Sequence, residues 1–215
     1  MFINIHSHNK PGINEWCIIN LYRDFDETKK QGHYSIGLHP WYIQEENWQQ
    51  DLKDLEKYYN QETVLAIGEC GLDKVCKTAF SLQEEVFVSQ INLANKINKP
   101  LIIHCVRAFD EILLLLKKHR NKVPVIFHGF NKNLSLAEKL VAAGHWLSFG
   151  KSILHKDKRS AFASIPLDKI FFETDDASTG IDNIYITAAE IKNISIEELS
   201  SQLSKNLFTV FNITI

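Results

Sequence analysis

Long apolar runs are missing from this chain of 215 residues, and no run approaches the length needed to cross a bilayer. The start of the chain, Met-Phe-Ile-Asn-Ile-His, also lacks the charged segment, apolar stretch and small-residue cleavage site of a secretory signal. A strong excess of either charge is absent as well: 24 basic residues face 26 acidic ones, so a nucleic acid would be bound locally and not along a broad positive surface. We therefore expect a cytoplasmic protein that neither enters a membrane nor wraps duplex DNA.

Cysteine is scarce, and its spacing excludes several classes of site. The four cysteines are Cys17, Cys70, Cys76 and Cys105, and none forms a CxxC or zinc-finger pattern. Three of them lie within or just beyond apolar strand-like runs, where a thiol packs as a small apolar side chain. The sequence therefore predicts reduced cysteines in packing roles.

Apolar runs of strand length alternate with segments of helical periodicity along the chain. Eight runs predict strands, at residues 2–6, 16–21, 34–38, 64–69, 101–104, 125–128, 146–149 and 169–174. Helices are predicted between most of them, at residues 48–59, 82–97, 109–119, 134–143 and 156–164. A closing helix at 195–211 is predicted from Ser195 as its N-cap and Glu198 three residues later.

This alternation, with strands that are apolar on both faces, predicts the α/β class and a parallel sheet covered by helices. Eight such strands predict an irregular (β/α)8 TIM-like barrel. Its first crossover is short, because residues 9–15 include Pro11 and Gly12 and leave no room for a helix. No linker or repeat interrupts the pattern, so we expect residues 1–215 to form a single domain.

Potential metal ligands recur at or just past the ends of these predicted strands. The C-terminal ends of parallel barrel strands meet at one rim, so such residues are expected to share a pocket. Four imidazoles and two carboxylates in one pocket favour a divalent metal. The six residues are His6, His8, Glu69, His104, His128 and Asp175.

Individually these signals have simpler readings. A lone His-x-His pair can be two polar residues at a strand end, although residues two apart on a strand point to the same side and can reach one ion. Glu69 taken alone could be a surface residue beyond its strand. Between Glu173 and Asp175 we favour Asp175 as the rim residue, with Glu173 either deeper in the pocket or a structural partner.

Six segments together carry a family resemblance. The chain resembles, over nearly its whole length, the TatD-type metal-dependent deoxyribonucleases, which belong to the amidohydrolase-like barrel superfamily. The resemblance implies that the six residues above are the metal ligands. The matching segments are His6-Ser7-His8, Gly37 to Trp41, Gly68 to Asp73, Pro100 to Cys105, His128-Gly129-Phe130 and Glu173-Thr174-Asp175.

Two divalent ions, drawn from Mg, Mn or Zn, are expected as cofactors. Paired ions activate water and stabilise both the attacking and the leaving oxygen of a phosphodiester. In our hypothesis His6 and His8 hold the first ion, and His104 and His128 complete the second. Glu69 bridges the two and Asp175 orients or deprotonates the water, which makes Glu69 and Asp175 the catalytic residues.

Substrate contacts are expected from His39 and Arg107. The resemblance assigns His39 to a substrate phosphate, against the alternative of a hydrogen bond within its own turn. Asp73 is expected to orient a ligand histidine, and Trp41 either stacks on a base or packs. The other four histidines are expected to be ordinary surface or loop residues: His33, His119, His145 and His155.

The resemblance implies hydrolysis of DNA by a 3′–5′ exodeoxyribonuclease acting on single-stranded ends, with no obligate protein partner. An amidohydrolase or lactonase acting on a small ester or amide is the alternative, since one barrel supports many reactions. Many two-metal amidohydrolases have a modified lysine at the end of the fourth strand, where this chain has Glu69. A third reading is a non-catalytic metal-binding protein, which the loss of a ligand would favour.

Overall fold

The computed structural model of the protein describes residues 1–215. Its strands are β1 Phe2–Ser7, β2 Glu15–Leu21, β3 His33–Ile36, β4 Val64–Asp73, β5 Leu101–Val106, β6 Val125–Phe127, β7 Trp146–Phe149 and β8 Ile170–Phe172. Its α-helices are α1 Trp48–Glu56, α2 Phe80–Ile97, α3 Phe109–Lys118, α4 Leu134–Ala142, α5 Arg159–Ser164, α6 Ile181–Lys192 and α7 Ile196–Phe211. Short 3-10 turns occupy Phe25–Lys29, Lys151–Leu154, Lys156–Lys158 and Leu167–Lys169.

All eight strands belong to one sheet, and their order in the sheet follows their order in the chain. The first strand also meets the segment that follows the last one. A parallel bridge joins Ser7 to Asp175, and the Asp175 amide donates to the His6 carbonyl at 3.0 Å. No helix lies between β1 and β2. The predicted α/β fold, a TIM-like barrel with a shortened first crossover, is therefore confirmed.

Two strands, β4 and β5, run two or more residues past the ends that the sequence predicted. β4 continues from Glu69 to Asp73, and its last residues pair with β5 from Ile103 to Val106. The prediction that Glu69 and His104 end their strands was therefore wrong. A strand is defined by backbone pairing, and this pairing can continue past residues with polar side chains. Gly71 permits this pairing, because a Cβ there would lie 2.1 Å from the His104 carbonyl oxygen.

The chain folds into two compact units. The first unit comprises residues 1–19 and 126–215. Its core is rich in phenylalanine, and Phe162 packs against Phe149 and Phe172 with ring centroids 5.2 and 5.7 Å apart. Burying rings of this size contributes most of the apolar stabilisation in such a core.

Helix α6 of this first unit was not predicted. Its buried side chains Ile184, Tyr185 and Ala188 have helical spacing, so the signal was present in the sequence. The Tyr185 hydroxyl accepts a hydrogen bond from the Ile3 amide at 3.0 Å and donates to the Ile3 carbonyl at 3.1 Å. The missed helix therefore anchors the strand that carries His6.

The closing helix α7 begins as predicted. The Ser195 hydroxyl accepts from the Glu198 amide at 3.0 Å, and the Glu198 carboxylate accepts from the Ser195 amide at 2.9 Å. Such a reciprocal cap stabilises the first turn of a helix by about 1 kcal/mol.

The second unit comprises residues 20–125. Helix α2 packs on β4 with Phe87 and Ile91 fully buried. Two glutamines of the same helix, Gln83 and Gln90, are also buried. Both turn their amides toward backbone groups at the ends of strands or in the loops that follow them.

Two expectations from composition can be compared with the structure. All four cysteines are free thiols, and Cys17 and Cys70 are buried. None of the helices combines the length and the apolar character that a membrane crossing requires.

Candidate metal-binding clusters

The first unit contains the His6 cluster, made of His6, His8, His128, Glu173 and Asp175. The Nε2 atoms of His6 and His8 lie 3.5 and 3.4 Å from the same oxygen, Asp175 Oδ1. The His6 and His128 rings are 4.3 Å apart between centroids. Asp175 has φ 53, the left-handed conformation, and backbone bonds to β1 hold it beside the two histidines.

Glu173 is buried behind His128. Its Oε1 accepts a hydrogen bond from the Gly129 amide at 2.7 Å and lies 3.3 Å from His128 Nδ1. A carboxylate that holds one nitrogen of an imidazole fixes the ring and leaves its other nitrogen for a ligand. The buried Oε2 of Glu173 has no hydrogen-bond partner. Glu173 therefore acts as the deeper, orienting acid of the pair.

The donor set of this cluster fits a divalent ion. Two ligands bound tetrahedrally at about 2.0–2.1 Å lie roughly 3.3 Å apart, close to the separations measured between the histidines and Asp175. Burial would raise the pKa of the Asp175 carboxyl. Hydrogen bonds to His6 and His8, and the charges of His6 and His128, outweigh burial and hold this pKa well below its ordinary value. Asp175 is thus ionised at neutral pH, as a metal ligand must be.

The second unit contains the Glu69 cluster, made of His39, Glu69, Asp73 and His104. Glu69 Oε1 lies 3.2 Å from His39 Nε2 and 2.8 Å from His104 Nδ1. The backbone amide of Trp41 donates to His39 Nδ1 at 3.1 Å, so the proton of a neutral His39 is on Nε2 and points at Glu69. Glu69 is only 6% exposed, which makes compensation of its charge necessary.

The contacts of His104 show that a cation suits this second cluster. Its Nδ1 lies 2.8 Å from Glu69 Oε1, and its Nε2 lies 3.2 Å from Asp73 Oδ2. A neutral imidazole has one N–H, so one of its nitrogens would point a lone pair at a carboxylate oxygen. A divalent cation beside that nitrogen removes the repulsion. An imidazole and carboxylates are ligands that such a cation accepts.

Asp73 holds His104 as the sequence predicted. Its carboxylate also accepts from the Trp41 indole N–H at 2.6 Å and from the Val75 amide at 2.8 Å. Burial would raise the pKa of Asp73, but these two hydrogen bonds and His104 bring it below its ordinary value. Asp73 is thus a fixed anion behind His104.

Helix α2 holds the backbone of the same cluster. Gln83 Oε1 accepts from the Asp73 amide at 2.8 Å, and its Nε2 donates to the Asp73 carbonyl at 3.0 Å. Gln90 bonds both backbone groups of Leu38, next to His39, at 2.8 and 3.1 Å. Each buried bond of this kind contributes about 1 kcal/mol. The two glutamines therefore fix the backbone positions of Asp73 and of Leu38, the neighbour of His39.

Arg107 and Trp41 are exposed, as substrate-contacting residues would be. Arg107 directly follows β5, with φ 57. Trp41 is 56% exposed, although its indole N–H is held by Asp73. The contact between His39 and Glu69 was not predicted, and the substrate roles of His39 and Arg107 stay predictions.

Each unit also has a cavity lined by residues that were not predicted from the sequence. In the first unit a cavity of about 410 Å³ extends from Asp175 to Lys151 and His155, in the turns that follow β7. In the second unit a cavity of about 370 Å³ brings Tyr22 and Tyr42 beside His39. The sequence did hold one signal for these cavity residues, which is their position: each lies within a few residues after a strand or after the His39 turn.

Comparison with known proteins identifies the family. The family model of TatD-related DNases matches residues 18–212. The chain belongs to this family. An uncharacterized metal-dependent hydrolase of Buchnera aphidicola subsp. Baizongia pistaciae is 31% identical over 197 residues, covering 83% of this chain and 74% of the relative. A protein of Mus musculus named "Putative deoxyribonuclease TATDN3" is 32% identical over 204 residues, covering 82% and 68% of the two chains.

Solved structures share the fold of this chain. The YjjV protein of Escherichia coli K12, a TatD homologue, has a TM-score of 0.85 at 23% identity and covers 99% of this chain and 98% of its own. A TatD family hydrolase of Entamoeba histolytica has a TM-score of 0.79 at 18% identity and covers 98% and 97%. The TIM-like barrel is thus the family fold, and the prediction of a metal-dependent hydrolase of this family is confirmed.

Proposed function

We propose that the protein hydrolyses phosphodiester bonds of DNA with two divalent ions, Mg, Mn or Zn, and removes nucleotides from single-stranded ends in the 3′–5′ direction. One observation carries the proposal: each unit has an acidic residue, Asp175 or Glu69, with one oxygen shared between two imidazoles. The family model and the deoxyribonuclease name of the mouse relative support the DNA substrate.

His6, His8 and Asp175 would hold one ion. Glu69 and His104 would hold the other ion, and His39 supports Glu69 through the contact between its Nε2 and Glu69 Oε1. Bound divalent ions polarise a phosphodiester and make water more acidic. That Glu69 bridges both ions, and that His104 and His128 share one, stay predictions of the sequence.

The residues themselves have separable tasks. The contacts of the Asp175 carboxylate with His6 and His8 go to Oδ1, which leaves Oδ2 to accept the proton of the attacking water. Asp175 is ionised at neutral pH and its side chain is 38% exposed, so water reaches it. Asp73 and Glu173 keep His104 and His128 in orientation.

Arg107 is proposed to bind a backbone phosphate of the substrate. It is exposed and leaves β5 three residues after His104. A guanidinium pairs with two phosphate oxygens at once, and an exposed contact of this kind weakens as salt rises. Arg107→Gln should therefore raise the KM for DNA and flatten its salt dependence.

The test is metal-dependent cleavage. The protein is stripped with chelator, and Mg, Mn or Zn is added back with single-stranded oligonucleotides labelled at the 5′ or the 3′ end and with a panel of small esters and lactones. Stepwise shortening of the 5′-labelled strand from its 3′ end supports the proposal. Ester or lactone turnover without DNA cleavage would replace it with the small-molecule hydrolase. Metal uptake with no turnover would replace it with a binding protein.

A further inference from the structure

An aromatic pocket lies beside the Glu69 cluster in the second unit. Four aromatic side chains of the protein are strongly exposed: Tyr22, Trp41, Tyr42 and Phe208. Three of these four stand around His39. The rings of Trp41 and Tyr42 lie 5.1 and 5.6 Å from the His39 ring, and Tyr22 stacks on Tyr42 at 5.1 Å with an interplanar angle of 21°. Exposed rings gathered in this way indicate a binding surface.

The pocket continues into the metal-binding cluster through one residue. His39 lines the cavity of about 370 Å³ that also contains Tyr22 and Tyr42. The same side chain reaches Glu69 Oε1 at 3.2 Å. A group bound against the tyrosines would therefore be held next to the Glu69 cluster. The volume is in the range of sites for small molecules.

The charges of the pocket disfavour phosphate. Asp24, Asp51 and Asp54 all line it, against the single cation of Arg23. The Arg23 guanidinium lies 5.1 Å above the Tyr22 ring and 3.9 Å from Asp24, so its charge is partly offset. Carboxylates repel an anion but accept hydrogen bonds from ring N–H and amino groups. The fitting ligand is a flat, uncharged ring with N–H donors.

Asp51 is the carboxylate available for such a donor. Asp54 already accepts from Lys57 at 2.6 Å and from Gln50 at 3.2 Å. No side-chain hydrogen bond or ion pair engages Asp51, which follows Trp48 by three residues near the start of α1. A nucleobase stacked on Tyr42 would have its edge within the same cavity as this carboxylate.

We propose that this pocket binds one nucleobase of the substrate, stacked on Tyr42, with its N–H groups donating to Asp51. The inference rests on the proposed function, because it takes a nucleic acid as the substrate. It assigns specificity to Tyr22, Tyr42 and Asp51. The enzyme then recognises the base of a terminal nucleotide in addition to its phosphate.

The test compares Tyr42→Leu with Tyr42→Phe, which keeps the ring. The metal-loaded full chain is titrated with fluorescent phosphorothioate oligonucleotides that resist cleavage, either with all bases or abasic at the last two 3′ positions. Stacking on an aromatic ring contributes about 1–3 kcal/mol per base, so Tyr42→Leu should weaken binding of the complete strand about 5-fold or more. Tyr42→Phe should stay within about 2-fold. The abasic strand should bind weakly to all three proteins.

Phe208→Leu, an exposed ring on α7, is the matched control and should bind as the unsubstituted protein does. Equal losses on the complete and abasic strands, or no loss with Tyr42→Leu, would overturn the inference. So would Asp51→Ala binding the complete strand as tightly as the unsubstituted protein does, because no base N–H would then donate to this carboxylate. Cleavage of ordinary DNA is measured separately. Base-dependent binding without cleavage refutes the proposed function alone, and cleavage without base-dependent binding refutes this inference alone.

Discussion

The two clusters use the same ligand chemistry in different surroundings. In the His6 cluster the side chains of His8 and Asp175 are 30% and 38% exposed. In the Glu69 cluster Glu69 and Asp73 are 6% and 1% exposed. A carboxylate that water reaches can exchange protons with a substrate, whereas a buried and multiply bonded one is suited to hold a cation in place. From this contrast we propose that Asp175 takes part in the chemistry and that Glu69 holds the ion.

The largest effect is expected from Asp175→Asn. The amide keeps the shape of the side chain but loses the charge and the proton acceptor. We expect kcat to fall by about 10³-fold or more, equivalent to roughly 4 kcal/mol, with the folded structure retained. Steady-state cleavage and circular dichroism on the same preparation measure both quantities. Undiminished cleavage would remove Asp175 from the chemistry and with it the proposed difference between the clusters.

The next effect is expected from Glu69→Gln. This change removes the buried anion that His39 and His104 share, so its cluster should lose its ion and kcat should fall by about 10²-fold or more. Metal content after dialysis, measured by mass spectrometry, should drop by about one ion per chain. The loss of both ions would instead support the bridging role that the sequence predicts for Glu69. Full metal content with full activity would contradict both.

Paired substitutions behind the ligands sharpen the comparison. Asp73 holds His104 and Glu173 holds His128, so Asp73→Asn and Glu173→Gln remove equivalent supports in the two units. We expect each to weaken metal binding or activity about 10–100-fold. Calorimetric titration of stripped protein with Zn gives the affinities. Unchanged affinity in one variant would show that the histidine of that cluster needs no carboxylate support.

The smallest effect concerns stability and lies outside both clusters. Burial, with a further contribution from Lys169, lowers the pKa of His145 to about 4. An unfolded histidine has a pKa of about 6.5, so the unfolded state takes up the proton first. This contribution to stability is therefore complete above pH 6.5 and is lost as the pH falls from 6.5 toward 4.

The loss should be up to about 2 kcal/mol, because solvent screening at this partly buried ring reduces the effect. Denaturant unfolding at pH 7 and pH 5 measures it, with His145→Gln as the control that lacks the titration. An equal pH dependence in both proteins would contradict the assignment to His145.

Much of the fold could be predicted because apolar runs mark buried strands whatever their neighbours are. The eight strands and the capped α7 follow from local pattern. The ends of β4 and β5 could not be predicted in this way. Cys70, Gly71 and Leu72 pair with β5 through their backbone groups, and the types of their side chains do not indicate this pairing. Helix α6 was missed even though the spacing of its buried residues was readable.

The candidate site, like the fold, could be predicted only in part. The types of the potential ligands follow from the sequence, since a buried acid after an apolar strand needs a partner for its charge and histidines at equivalent positions can bind the same cation. The contact of His39 with Glu69 depends on a turn held by Gln90 and on the proton position set by the Trp41 amide. The aromatic pocket depends on a contact between two separate segments, one after β2 and one after β3. Such contacts between loops have no local signature in a single sequence.

We expect both clusters to bind divalent cations, and anomalous diffraction from crystals soaked in Zn or Mn tests this most directly. A peak should lie about 2.0–2.2 Å from the Nε2 atoms of His6 and His8 and from Asp175, and another at the same distance from Glu69 and His104. A soaked crystal with no anomalous peak at either cluster would show that these side chains do not form cation sites.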